Sequence, residues 1–256
     1  MQLSLDFRLR GIHKKVRMLV EVCANSLESA LNAEHAGADR IELCSELGVG
    51  GVTPSHGLIA LVKEKLKIPI HVLIRPRSGH FTYSDTEFEV MKADIAFCKS
   101  IGVAGIVSGI LNTDATLDIE RTKTFVEIIK PLHFTFHRAF DWIPNSETAL
   151  KQLGAMGVAT ILTSGKQLTA ELGLVNLKKW QQNTSMTIMA GAGINPDNAA
   201  RFKEEGLRAI HLSGTGFVNT ISTENKIGMN SEKHLKEHHV AVTNEELIRQ
   251  TVNAVK

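Results

Sequence analysis

Four helix-stop phrases of nearly the same wording punctuate this chain: Ala36-Gly37-Ala38-Asp39, Ile101-Gly102-Val103, Met156-Gly157-Val158 and Glu205-Gly206-Leu207. In each, a glycine that can end a helix in a left-handed conformation separates an amphipathic run from a short aliphatic one. The short runs are Leu19 to Cys23, Arg40 to Cys44, Ile70 to Ile74, Gly105 to Ser108, Phe134 to His137, Thr160 to Thr163, Thr187 to Ala190 and Ala209 to Leu212. Helical patterns lie between them: Ser26 to Ala36, Leu58 to Leu66, Asp85 to Ser100, Asp118 to Ile129, Ser146 to Met156, Ala170 to Gln181 and Asn195 to Glu205. Strict alternation implies parallel strands, and eight units imply closure, so the pattern predicts an α/β fold, a (β/α)8 TIM-type barrel. A doubly wound open sheet is the alternative, but Ala24-Asn25-Ser26 stands after the first strand where its glycine-rich fingerprint belongs.

The chain has 256 residues and reads as one barrel domain over residues 18–256. A formal charge of +2 and 5% aromatic residues argue against a nucleic-acid groove, leaving a small molecule or an ion as partner. Three cysteines, no secretory h-region and no apolar run of about 18 residues point to a cytoplasmic protein that does not enter the membrane. Residues 1–17 carry five basic side chains against Asp6 and are expected to be a disordered, solvated extension. The stretch 219–240 reads as a mobile polar loop, although His234 and His238 are spaced to share a helical face as metal ligands. Thr243-Asn244-Glu245-Glu246 then caps a C-terminal helix in the Thr-x-x-Glu manner.

In such a barrel, chemistry sits at the carboxyl ends of the strands. The residues found there are Glu21 and Cys23, Glu42 and Cys44, Arg75 and Arg77, Ser108, His137, Arg138 and Asp141, Thr163 and Ser164, Gly191 and Gly193, and His211 and Ser213. Cys23 and Cys44 end consecutive strands, so their sulfurs can converge; two thiolates without a third suit a low-coordinate soft ion such as Cu(I) better than tetrahedral zinc. Both can equally be small buried hydrophobes, as Cys98 is expected to be. Glu21 and Glu42 read either as a carboxylate pair sharing a proton or as counterions for Arg75. His71 and His133 lie early in their strands and are expected to be structural.

Two late loops carry another signal. Gly191 and Gly193 follow the seventh strand, and Ser213 and Gly214 follow the eighth, where phosphate sites of these barrels are built from backbone N–H groups. With Arg75 and Arg77 they form a candidate anion site.

These residues resemble the CutC family of copper homeostasis proteins from about Leu19 to Phe217. The phrases are Glu-Val-Cys-Ala-Asn-Ser from Glu21, Ala-Gly-Ala-Asp-Arg-Ile-Glu-Leu-Cys from Ala36, Gly-Gly-Val-Thr-Pro-Ser from Gly50, Ile-Arg-Pro-Arg from Ile74, Thr-Phe-His-Arg-Ala-Phe-Asp from Thr135 and Ile-Leu-Thr-Ser-Gly from Ile161. The resemblance implies a cytosolic barrel, often a homodimer, that handles copper, with Cys23 and Cys44 as Cu(I) ligands. It assigns nothing to the segment before Met18 or to residues 219–240. Two functions are therefore expected: a Cu(I)-binding homeostasis protein, or a barrel enzyme acting on a phosphorylated or carboxylated small metabolite. In the second, the glycine loops hold the anion while Glu21, Glu42 or His137 moves a proton.

Overall fold

The aliphatic runs become eight parallel strands that close on themselves in chain order: β1 (Leu19–Ala24), β2 (Arg40–Leu43), β3 (Ile70–Leu73), β4 (Gly105–Ser108), β5 (His133–Phe136), β6 (Thr160–Thr163), β7 (Thr187–Gly191) and β8 (Ala209–Leu212). The structure is a computed structural model and describes residues 17–219, 221–229 and 239–256. Outside the barrel stand α1 (Leu27–His35), α2 (His56–Lys65), α3 (Asp85–Ser100), α4 (Ile119–Ile129), α5 (Ser146–Met156), α6 (Leu174–Gln182), α7 (Ala199–Glu204) and α8 (Glu245–Val255). The (β/α)8 expectation is met. None of the helices among the described residues is long and apolar enough to cross a membrane.

Period-two alternation sorts each strand. Val20, Val22 and Ala24 of β1, Ile41 and Leu43 of β2, and Val72 of β3 pack outward into one large apolar core shared with the helices. The intervening side chains project into the barrel, where Glu21, Arg40, Glu42, His71, Thr135 and His137 are all buried. Room for the bulkier rings comes from glycine on the neighbouring strand. A Cβ at Gly105 would lie 2.6 Å from His71 Nε2, and one at Gly109 would lie 2.6 Å from His137 Nδ1. Burial pulls the His71 and His133 rings down to about 3 and about 4, and His133 Nε2 lies 2.9 Å from Thr160 Oγ1.

Helix starts show where local side-chain chemistry overrides periodicity. α3 opens with a reciprocal capping box between Ser84 and Glu87, as its sequence dictates. α7 starts at Ala199 rather than Asn195, because Asn195 Oδ1 accepts from the N–H groups of Asp197 and Asn198 and holds that stretch in a turn. α8 is capped by Asn244, which accepts from Leu247 N, and not by Thr243. Thr243 instead belongs to a short strand that was not expected. After β8 the chain forms β9 (Thr215–Val218), which pairs antiparallel with β10 (Val240–Thr243) as a two-stranded ribbon. Of the tail's histidines, His234 and His238 lie outside the described residues, as does nearly all of the basic extension.

Candidate active site at the carboxyl end of the barrel

β1 lies between β2 and β8, with Glu21 in register with Arg40 on one side and His211 on the other. The fully buried Glu21 carboxylate uses both neighbours. Arg40 Nε donates to its Oε2 at 2.5 Å, and its Oε1 lies 2.8 Å from His211 Nδ1. Burial alone would raise this carboxyl, but Arg40 and His211 outweigh it and hold Glu21 well below the usual carboxylate range. Glu42 has no comparable cation of its own. Burial pushes its carboxyl up to about 7, with His211 opposing and the Glu21 charge reinforcing the rise. Its Oε2 lies 3.4 Å from His211 Nδ1. Burial would lower the His211 ring, yet the two glutamates raise it above the ordinary histidine value. Of the three groups, Glu21 stays ionised while Glu42 and His211 are both raised, the first by burial and the second by the neighbouring carboxylates.

His211 also lines the large cavity at the barrel mouth, about 770 Å³, together with Cys23, Arg138, the loop from Ala192 to Asn195, Ser213 and Gly214. Among the described residues, none of the backbone N–H groups of Gly193, Ile194, Ser213 and Gly214 donates a hydrogen bond. Gly193 and Gly214 have φ of +75° and +54°, and Ala192 between β7 and this turn has φ of +84° despite its side chain. Ala192 is thus held in a strained backbone conformation. Arg138, which lines the same cavity, is fixed by Asp141, which accepts from its Nε at 2.9 Å and also from Thr163 Oγ1 at 2.5 Å and from the N–H groups of Ser164 and Lys166. Arg138 Nη2 donates to Ser164 Oγ, and its remaining Nη1 makes no hydrogen bond among the described residues.

Several expected residues stand elsewhere. Arg75 does not join the glutamates. Its guanidinium donates to the carbonyls of Val49, Gly51 and Gly79 and lies over the Phe81 ring, so it staples the loops after β2 and β3. Arg77 is likewise engaged by Glu87 and by the carbonyls of Ser78, His80 and Thr82. Neither lines the cavity. His137 is buried against Gly109 and Phe81; burial, with Arg75 nearby, lowers it to about 3. The cation that Glu21 needs is Arg40, two residues before Glu42 and so on the same face of β2; that spacing carried the signal. His211 stands among the strand-end residues of the sequence, but nothing there revealed that β8 places it against both glutamates.

The two-cysteine copper expectation is corrected by the same geometry. The thiols do meet, with Cys23 Sγ 3.4 Å from Cys44 Sγ, but as a buried thiol contact. Metal–thiolate bonds of about 2.3 Å would set two sulfurs roughly 4.5 Å apart across an ion. Cys44 is fully buried against Leu73 and Val107, with Leu47 packed on them. The hydrogen bond to Cys44, burial and the neighbouring carboxylates raise the Cys23 thiol far above its usual value. The donors that converge are Cys23, Glu42 and His211, with ligand atoms within 4.8 Å of one another. That mixed sulfur, oxygen and nitrogen set is a candidate metal cluster with one thiol in it, and it does not fit a bis-thiolate Cu(I) centre.

The profile of the CutC family matches residues 18–216, from just before β1 into β9. The chain belongs to the CutC family. It is 47% identical to the family protein CutC of Proteus mirabilis over 195 residues, which cover 76% of this chain and 78% of that one. The crystal structure of the CutC protein from Streptococcus agalactiae superposes with a TM-score of 0.73 at 32% identity, covering 77% of this chain and 98% of that one. The thiamine phosphate pyrophosphorylase of Pyrococcus furiosus, with a TM-score of 0.57 and 14% identity over 94% and 96% of the two chains, shares the barrel fold. Family membership therefore covers the barrel and the glycine-containing loops after β7 and β8, while β10 and α8 lie beyond the matched residues.

Proposed function

We propose that this barrel is an enzyme acting on a small metabolite that carries a phosphate or carboxylate. One observation supports the reading above the others: a single cavity brings unpartnered amides from the loops after β7 and β8 together with His211, whose proton state is set by two buried glutamates. Four such N–H groups and the Arg138 guanidinium on residues that line one cavity make an environment for an oxyanion. His211 supplies the proton-transfer group. Glu21 Oε1 receives the Nδ1 proton and so fixes ring and tautomer, which leaves Nε2 to exchange a proton with a bound molecule. Glu42, whose Oε2 lies 3.4 Å from the same Nδ1, adds its carboxylate charge to that of Glu21 in favouring the protonated ring. The reaction class is proton abstraction or donation beside an anionic group.

The test has two arms. Calorimetric titration with inorganic phosphate should show binding that weakens about tenfold in Arg138→Gln, the loss of one charge-assisted contact. Incubating phosphorylated and carboxylated metabolites with the protein in heavy water should wash deuterium into one of them, and His211→Gln should stop it. A protein that binds no phosphate and exchanges no proton in any such metabolite is not this enzyme.

A further inference from the structure

The cavity of about 770 Å³ is much larger than a phosphate. Besides the loops after β7 and β8, Arg138 and His211, its lining includes the apolar side chains of Leu47, Leu212, Phe217, Ala241 and Leu247, with His239 beside Phe217. Phe217 and Ala241 are register partners in the β9–β10 ribbon. The Phe217 ring is 65% exposed and stands 5.2 Å from the His239 ring at 35°. An open aromatic face over a cavity is an unfilled contact unless a ligand covers it.

The ribbon holds this wall in place. Asn25 Nδ2 donates to Ala241 O at 3.1 Å, Asn32 Nδ2 to Thr243 O at 2.9 Å, and Thr243 N to Ser29 Oγ at 3.1 Å, which ties β10 to α1 and the loop before it. Asn244 N donates to Gly214 O at 2.8 Å, so the ribbon's end and the anion loop are fixed to each other. The ribbon that carries Phe217 is therefore fixed relative to the loop after β8.

Resting on the function proposed above, we infer that the ribbon recognises the body of the substrate, and that this body is a planar aromatic or heteroaromatic ring joined closely to the anionic group. Phe217 stacks against that ring. A hydroxyl-rich body such as a sugar would surrender its hydrogen bonds to water against Leu47, Leu212, Ala241 and Leu247, whose side chains return none. The ring loses nothing of that kind and gains the Phe217 face.

The experiment is a set of calorimetric titrations of the full chain with inorganic phosphate, phenyl phosphate and glycerol phosphate, repeated on Phe217→Ala. Phenyl phosphate should bind about tenfold or more tighter than the other two, as expected when one aromatic contact is added. Phe217→Ala should bring phenyl phosphate within about twofold of inorganic phosphate and leave phosphate itself unchanged, a difference of about 0.4 kcal/mol or less. Because Phe217 is mostly exposed, the variant keeps its fold; an unchanged melting temperature checks this. Glycerol phosphate binding as tightly as phenyl phosphate overturns the inference, as does an aryl advantage that survives Phe217→Ala. In either case phosphate binding itself keeps the anion site standing, whereas failure of all three ligands removes both. Sedimentation showing self-association that Phe217→Ala abolishes would assign the ring to a second copy and also overturn it.

Discussion

Glu21 and His211 meet across the seam where the barrel closes: they are register partners on β1 and β8, with Oε1 2.8 Å from Nδ1. The contact joins the strand that starts the fold to the strand that completes it. It also places a buried negative charge behind a histidine that lines the cavity, so the seam of the fold and the cavity wall share one pair of side chains.

Arg40 is the first place to test that sharing. Arg40→Met leaves the fully buried Glu21 carboxylate without its guanidinium, and breaking a buried pair from one side costs about 3–5 kcal/mol. Denaturant unfolding should show this loss. The double variant Arg40→Met, Glu21→Gln should recover most of it, since no unpaired charge then remains.

Glu42 sets a pH dependence of stability. Its folded carboxyl lies at about 7 against an ordinary 4.5, so between those values the fold keeps a proton that the unfolded chain has released. That contribution is complete below about 4.5 and is lost as pH rises through 7, at up to about 1.4 kcal/mol per pH unit. Glu42→Gln should flatten the curve in this window. Glu21, held low by Arg40 and His211, acts in the opposite sense, its contribution disappearing only under acid conditions. Melting temperatures of Glu42→Gln from pH 4 to 8, and of Glu21→Gln from about pH 2 to 5, separate these signs.

The cysteines should be inert. Cys23 is raised far above the usual thiol value and Cys98 to about 12, while Cys44 is fully buried. Alkylation with iodoacetamide at pH 7.5, followed by mass spectrometry, should label none of the three in the native protein and all three in denaturant. Rapid native labelling of Cys23 would mean that its thiolate is accessible and would contradict the buried thiol contact.

Gly105 and His71 form a complementary pair inside the barrel. A Cβ at residue 105 would sit 2.6 Å from the imidazole, which is too close for either atom to keep its place. Gly105→Ala should cost about 1–3 kcal/mol through overpacking. In a His71→Ala background the same change should cost almost nothing, and thermal unfolding of the four proteins closes the cycle.

The barrel was legible in the sequence because its information is local. Glycine stops such as Gly37 and Gly157 and the aliphatic alternation around Val20 and Ile41 each report on a few neighbouring residues. The site was half legible for the same reason. Glu21, Glu42 and the late glycines announce themselves by type and position, but the partner of Glu21 depends on which strands lie side by side. Arg40 was hidden by its place at the start of a strand, and His211 by the 190 residues that separate it from Glu21. Arg75 misled because a buried arginine near two acids looks like their counterion, whereas three backbone carbonyls and a ring had already claimed it. The β9–β10 ribbon left no clear trace, since its strands are four residues each and their pairing partners lie on either side of a long polar stretch.

The register of Glu21 with His211 has one more consequence, for the order of events during synthesis. A chain that has not yet produced β8 has Glu21 on the open edge formed by β1, with Arg40 beside it and His71 as the nearest imidazole. The cluster of Glu21, Glu42 and His211 is therefore completed only when the last staves of the cylinder are set.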